Sequence, residues 1–155
     1  MPLPIASRVR VPRRRCPSAL IHARTHLTRT SHPVALVLGS HQAARQALCD
    51  RIEASFGNVQ LCQASTIRDA LALLDALNID VVLIDGESSG VSGLTGTRAI
   101  LERAPNVSVV VMSAFNEPEC RRAASRAGAM AFVSKRAINS DLINVLEELI
   151  GAESA

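Results

Sequence analysis

Five apolar segments that alternate with five helix-like segments constrain the fold of this chain more than any other feature. The apolar segments are residues 34–38, 59–62, 81–84, 107–112 and 130–133, of which 59–62 is short and mixed. Strands that are apolar throughout are buried on both faces of a sheet. Strict alternation with helices implies parallel strands joined by right-handed crossovers. The sequence therefore predicts an α/β fold with a five-stranded parallel doubly wound sheet of order 2-1-3-4-5, and 59–62 near an edge.

The segments between the apolar runs carry helix signals. Thr66 and Asp69 have the spacing of a capping box, which predicts that a helix follows Thr66. Pro118 and Gly128 predict the start and the end of another helix. Spacing of i, i+3, i+4, i+7 and i+8 predicts the buried face of the first helix. The residues of that predicted face are Ala44, Ala47, Leu48, Arg51 and Ile52.

Charge divides the chain into a tail and one domain. Residues 1–32 hold seven arginines, four of the seven prolines and no acidic residue, which predicts a disordered basic tail. Of the 17 basic residues, ten therefore remain against all 14 acidic residues, a formal charge of −4. We expect a single domain over 33–151 and a short tail over 152–155. A mis-assigned start or a solvated tail accounts for residues 1–32 better than a transit peptide or an anionic-surface anchor, although both of these also fit the composition.

The cysteines and the hydropathy pattern bear on location. Cys16, Cys49, Cys62 and Cys120 form no Cys-x-x-Cys pair and no zinc-ligand spacing. We interpret them as free thiols of a cytoplasmic protein, with Cys49 and Cys62 in the core. No stretch reaches the ~18 consecutive apolar residues of a transmembrane helix, so the sequence predicts no membrane span.

Three chemically complementary side chains follow predicted strands. Asp85, Ser113 and Lys135 end the third, fourth and fifth strands, and ligands of such sheets bind at the carboxyl ends of strands. A carboxylate can attack phosphorus to form an acyl phosphate, and an ammonium group can bind a phosphoryl oxygen. Lys135 is also the only lysine of the chain. Each residue alone is consistent with a turn, cap or surface role, but together they predict a phosphate-handling site.

Several stretches together resemble the receiver domain of bacterial two-component response regulators over about residues 34–150. They are VVLID ending at Asp85, SGVSGL, VVVMSA around Ser113, RAGAMAFVSK ending at Lys135, and SDLINVLEEL. The resemblance implies a flavodoxin-like, non-enzymatic signalling domain in which a histidine kinase or phosphotransfer protein phosphorylates Asp85. It implies that Ser113 and Phe132 act as switch residues toward a downstream protein target. The face of the fourth helix, fifth strand and fifth helix would carry that contact, or a homodimer.

The end of the first strand departs from this family. The family has two acidic residues there to hold Mg²⁺, whereas this chain has Gly39 and Ser40. Asp85 and Glu87 remain as metal ligands, which predicts a weak or absent Mg²⁺ site and no other cofactor. Glu87 could instead pair with Lys135. Two functions stay open: a stand-alone receiver phosphorylated on Asp85, or a phosphorylation-independent pseudo-receiver that serves as a protein-interaction module.

Two other classes of function are disfavoured. A flavin carrier or enzyme of the flavodoxin-like type needs a phosphate-cradling loop after the first strand, and residues 39–42 contain one glycine and no Ser/Thr-rich run. Nucleic-acid binding through the arginine-rich tail would be non-specific, because the rest of the chain is acidic and shows no helix-turn-helix pattern.

Overall fold

The computed structural model of the chain describes residues 32–86, 93–115 and 117–151. Its five strands form one parallel sheet of order β2-β1-β3-β4-β5, which confirms the predicted fold and the edge position of β2. The strands are β1 (Val34–Leu38), β2 (Gln60–Ala64), β3 (Val81–Asp85), β4 (Ser108–Ser113) and β5 (Ala131–Ser134).

Helices follow each strand and cover both faces of the sheet. A 3₁₀ turn, Lys135–Ala137, follows β5. The last helical segment, here called the C-terminal helix, consists of α5 between the π-helical turns Ile138–Leu142 and Glu147–Gly151. The α-helices are α1 (Gln42–Ser55), α2 (Ile67–Ala76), α3 (Gly93–Arg103), α4 (Pro118–Ala127) and α5 (Ile143–Leu146).

Two apolar layers sandwich the sheet, because alternate residues of each strand point to opposite faces. On β3, Val82 and Ile84 join the layer beneath α2, α3 and α4, while Val81 and Leu83 join the layer beneath α1 and the C-terminal helix. All four side chains are fully buried. Full burial of a Val or Ile side chain contributes about 1.5–3 kcal/mol each, so these layers hold the strand ends in place.

The predicted capping signals are confirmed. The Thr66 hydroxyl accepts a hydrogen bond from the Asp69 amide at 3.1 Å and caps α2. Gly128 ends α4 with a φ of +107°. A Cβ at Gly128 would lie 2.5 Å from Leu101 Cδ1, so packing as well as backbone conformation favours glycine there.

The predicted buried face of α1 is correct for Leu48 and Ile52 but not for the two alanines. The buried residues are Arg45, Leu48, Cys49 and Ile52, whereas Ala44 and Ala47 are exposed. The predicted face did not include Arg45, whose guanidinium has polar partners inside the fold, described below.

Some predictions fall outside what the structure describes. Except for His32, the predicted tail over 1–32 lies outside the described residues, as do residues 152–155 and Glu87. Cys49 and Cys62 are buried free thiols, as expected. None of the helices in the described parts of the chain is long and apolar enough to cross a bilayer.

Candidate functional site

Asp85 and Lys135 meet at the carboxyl end of the sheet, as the topology predicts. Asp85 is the last residue of β3, and Lys135 directly follows β5. Lys135 Nζ donates a hydrogen bond to Asp85 Oδ1 at 2.6 Å, across 50 positions of sequence. The Lys135 side chain is 32% exposed and the Asp85 side chain 16%, so water screens this ion pair less than one on the open surface. The pair places a carboxylate and an ammonium group where one phosphoryl group could contact both.

Ser113 lies at the same rim. It ends β4, pairs in register with Ser134 of β5, and is buried. Its Oγ accepts a hydrogen bond from the Phe115 amide at 3.0 Å. Gly86, the residue after Asp85, donates its N–H to the Met112 carbonyl at 2.7 Å, which holds Gly86 against the end of β4. The structure therefore brings all three predicted residues to one edge, while their chemical role remains a prediction.

Asp80 lies at the opposite end of the sheet. Its Oδ2 accepts a hydrogen bond from the Val34 amide at 2.8 Å, and its backbone carbonyl accepts one from the Ser108 amide at 3.1 Å. Asp80 thus ties together the starts of β1, β3 and β4. A strand of about five residues at ~3.3 Å per residue separates it from Asp85 by some 16 Å, so it takes no part in the site.

The end of β1 holds a buried arginine that sequence reasoning missed. Arg45 of α1 is only 6% exposed. Its Nη1 donates to the Gly39 carbonyl at 2.7 Å and its Nε donates to Gln63 Oε1 at 3.1 Å. Gln63 Nε2 in turn donates to Gln46 Oε1 at 3.3 Å. Burial lowers the pKa of the Arg45 guanidinium from its ordinary value, but arginine remains protonated in proteins.

One sequence signal could have revealed this arginine. Arg45 precedes Leu48 and Cys49 by three and four positions, so it shares their helix face. An arginine on an apolar helix face requires a buried polar partner, and the buried amide of Gln63 in β2 is such a partner. The pairing spans 18 positions and two elements, so the sequence alone does not specify it.

Among the described residues, the ends of β1 and β3 offer Asp85 as the one carboxylate ligand for Mg²⁺. Mg²⁺ is held by carboxylate and other hard oxygen ligands. Here the Gly39 carbonyl accepts a hydrogen bond from a guanidinium, and Asp85 is paired with Lys135. Within residues 32–86, 93–115 and 117–151, no group of three His, Cys, Asp or Glu side chains is arranged to hold a metal ion. Glu87, the other predicted ligand, lies outside these ranges.

A cavity of about 290 Å³ opens beside Asp85 and is here called the rim cavity. It lies between the ends of β1 and β3, helix α1 and the start of the C-terminal helix. Its charged lining consists of Arg45, Arg51 and Lys135 against the single carboxylate of Asp85. The rest of the lining is Val37, Leu38, Gly39, Ala44, Ala47, Leu48, Met112 and Ile138.

Phe132 connects β5 to α4. Its ring is half-buried and packs against the apolar layer under α2, α3 and α4. The guanidinium carbon of Arg121 on α4 lies 5.0 Å from the ring centroid, within the range of a cation–π interaction. Phe132 thus lies in the predicted output face, while its switch role remains a prediction.

Comparisons with known proteins agree with this architecture. The family model for the response regulator receiver domain matches residues 35–147. Response regulator GacA of Pseudomonas aeruginosa is 27% identical over 118 residues, 76% of this chain and 55% of that protein. Sensory/regulatory protein RpfC of Xanthomonas campestris pv. campestris is 32% identical over 130 residues, 80% of this chain and 17% of that protein. The chain spans about half the length of the GacA-like relatives that it matches.

Solved structures show the same fold. The crystal structure of a LuxR family DNA-binding response regulator from Silicibacter pomeroyi matches with a TM-score of 0.66 and 28% identity, covering 77% of this chain and 93% of that one. A response regulator from Thermotoga maritima matches with a TM-score of 0.68 and 22% identity, over 77% and 98% of the two chains.

Proposed function

Since this chain belongs to the response regulator receiver domain family, a signalling module of two-component systems, we propose that it accepts a phosphoryl group on Asp85. The observation that carries the proposal is the 2.6 Å contact between Asp85 Oδ1 and Lys135 Nζ at the carboxyl end of the central strand. A carboxylate nucleophile and a cation for the transferred group are the two protein groups that acyl-phosphate formation needs.

The proposed reaction is transfer from a phosphohistidine of a histidine kinase or phosphotransfer protein. A carboxylate oxygen of Asp85 attacks phosphorus, and an O–P bond forms. The N–P bond of the donor breaks, and its electron pair stays on the imidazole nitrogen, which then takes up a proton. Lys135 moves its hydrogen bond from Asp85 to a phosphoryl oxygen, so that the new negative charge keeps a cationic partner.

The missing acidic pair sets the expected rate of this reaction. Metal ions neutralise much of the charge in phosphoryl transfer, and we propose that Mg²⁺ binds here only weakly, through Asp85 and Glu87. Arg45 supplies positive charge near the end of β1, but its hydrogen bonds hold it against Gly39 and Gln63. We therefore expect phosphorylation to be slow compared with that of a receiver that has both acidic residues.

The proposed output is a contact with a downstream protein target. Ser113 would exchange its hydrogen bond with the Phe115 amide for one with the phosphoryl group. Phe132 and Arg121 lie on the neighbouring face of α4, β5 and the C-terminal helix, where a shift at Ser113 would reach a partner or a second copy of the chain. We propose no specific nucleic acid among the partners.

Phosphorylation-independent binding is the second candidate function. It is favoured by a specific observation: a buried guanidinium, rather than a carboxylate, lies at the end of β1. In that case Asp85 and Lys135 would form a fixed ion pair, and the domain would bind its partner in one state.

Intact-mass measurement after incubation with phosphoramidate and Mg²⁺ distinguishes the two functions. We expect one phosphoryl adduct on the wild-type chain and none on Asp85→Asn. Asp50→Asn is the matched control, because Asp50 is an exposed aspartate on α1 and its variant should still be modified. No adduct with this donor, or with a phosphorylated histidine kinase at high Mg²⁺, would refute phosphorylation and leave the pseudo-receiver function.

A further inference from the structure

The rim cavity has an excess of positive charge that the proposed phosphorylation does not use. Three cationic side chains and one carboxylate line it. The Asp85 carboxylate already has a cationic partner in Lys135, 2.6 Å away. Arg45 and Arg51 therefore add two positive charges, with no further acidic side chain among the described lining residues. In a concave site with low-dielectric walls, like charges add to a field that attracts anions.

Arg51 lines this cavity and connects helix α1 to the C-terminal helix. Its Nη1 donates to Asn139 Oδ1 at the start of the C-terminal helix, which bridges α1 to that helix. Its Nε is buried and has no hydrogen-bond partner among the described residues. A buried donor without a partner costs free energy, so the Arg51 guanidinium has donor capacity that the described residues do not use. Arg51 thus combines unused donor capacity with positive charge at this cavity.

The remainder of the cavity is apolar and open to solvent. Its floor is formed by side chains of both strands and helices, among them Leu48, Met112 and Ile138. Ala44 and Ala47 also line it and are exposed, so the cavity reaches the surface beside α1. Its volume of about 290 Å³ is near the lower end of the range of small-molecule pockets, about 300–1,000 Å³. An inorganic ion alone would leave most of this space unfilled.

We propose that the rim cavity binds a small organic anion, with an oxyanion head group at Arg51 and an apolar body against Leu48 and Ile138. The head group is a carboxylate or a phosphorus oxyanion, since both match the fork of guanidinium donors. Arg45 and Lys135 contribute charge from the other side of the cavity. Such a ligand would bridge α1 and the C-terminal helix, and it would bind next to Asp85 whether or not Asp85 accepts a phosphoryl group.

The test is a titration of the ¹⁵N-labelled full chain, followed by NMR. The probes are phenylphosphonate, benzoate and inorganic phosphate. Phenylphosphonate has a C–P bond and cannot transfer its phosphorus group to Asp85, so binding is measured apart from phosphorylation. We expect phenylphosphonate or benzoate to shift the Arg51 Nε–H signal and the Leu48 and Ile138 amides. Inorganic phosphate should bind at least about fivefold more weakly, because it lacks the apolar body.

Three variants separate this site from general charge attraction. Arg51→Gln should weaken binding at least about tenfold, which corresponds to ~1.4 kcal/mol. Ala47→Phe keeps the charge but fills the mouth of the cavity, and it should weaken binding as strongly. Arg122→Gln removes an exposed arginine on α4 and should leave the affinity within about twofold. Thermal unfolding of each variant shows that it is folded before its affinity is compared.

Asp85→Asn separates this inference from the proposed function. It removes the only carboxylate of the described lining, so anion binding should tighten while any phosphorylation is lost. Wild-type affinity in both Arg51→Gln and Ala47→Phe, or equal loss in Arg122→Gln, would overturn the inference, as would unshifted signals for Arg51 and Leu48 at saturating probe. Tight binding of inorganic phosphate alone would refute the apolar part of the site.

Discussion

The missing acidic pair can be restored by substitution. The buried Arg45 should then limit how much the affinity for Mg²⁺ increases. Gly39→Asp with Ser40→Asp should raise Mg²⁺ affinity at least tenfold, or about 1.4 kcal/mol. Arg45 Nη1 lies 2.7 Å from the Gly39 carbonyl, so its charge would lie within a few ångströms of the new carboxylates. At 4 Å and an effective dielectric constant of ~20, a pair of unit charges attracts by about 4 kcal/mol. Arg45 should therefore compete with Mg²⁺ for the new carboxylates and reduce the increase in Mg²⁺ affinity.

The same reasoning predicts that a triple variant binds Mg²⁺ most tightly. Adding Arg45→Gln to the double variant removes the competing cation and keeps an amide that can donate to the Gly39 carbonyl. Compared with the double variant, the triple variant should have a Mg²⁺ dissociation constant at least tenfold lower, measured by calorimetry at constant ionic strength. Gly39→Asn with Ser40→Asn is the control of equal size without charge. If the wild type binds Mg²⁺ as tightly as the Asp double variant, Glu87 or another group already replaces the pair and this reasoning is wrong.

Three further predictions concern stability and output. Arg45→Met should lower the free energy of unfolding by about 2–4 kcal/mol in urea titrations, because Gln63 loses a charged partner inside the fold; an unchanged value would contradict the buried network. A chain starting at Ser31 should keep the thermal midpoint of the full chain, since residues 1–32 lack the apolar content to pack; a large drop would show that they do pack. Phe132→Leu should cost less than about 1.5 kcal/mol yet alter partner binding, because the ring contact with Arg121 is lost; unchanged binding would reduce Phe132 to a packing role.

The sequence predicted the sheet because four of its strands are continuous apolar runs, the pattern expected of strands buried on both faces. Continuous apolar runs such as 81–84 then mark a central strand, and their carboxyl ends specify where polar groups converge. Topology thus places Asp85 and Lys135 at one edge although they are 50 positions apart, and the structure adds the contact between them.

The polar network at the end of β1 was beyond sequence reasoning. Gln63 is 1% exposed and lies inside β2. From sequence alone, a polar amide at this position indicates the end of the strand, because its buried partner is not known. That partner, Arg45, belongs to another element and contacts both Gln63 and the Gly39 carbonyl. Such a contact depends on how α1 is rotated against the sheet, and local patterns of hydrophobicity do not specify that rotation.

Arg45 therefore decides between two ways of docking the same helix. A helix turned by one residue, about 100°, would bury Ala44 and Ala47 beside Leu48, the face that apolar spacing favours. In that orientation the Arg45 guanidinium would lose its hydrogen bonds to the Gly39 carbonyl and to the Gln63 side-chain amide. Charged hydrogen bonds of this kind are worth about 1.5–3 kcal/mol each, more than the small gain from burying alanine methyl groups. A single cation thus fixes the rotation of α1, and with it which side chains, Arg51 included, face the edge of the sheet.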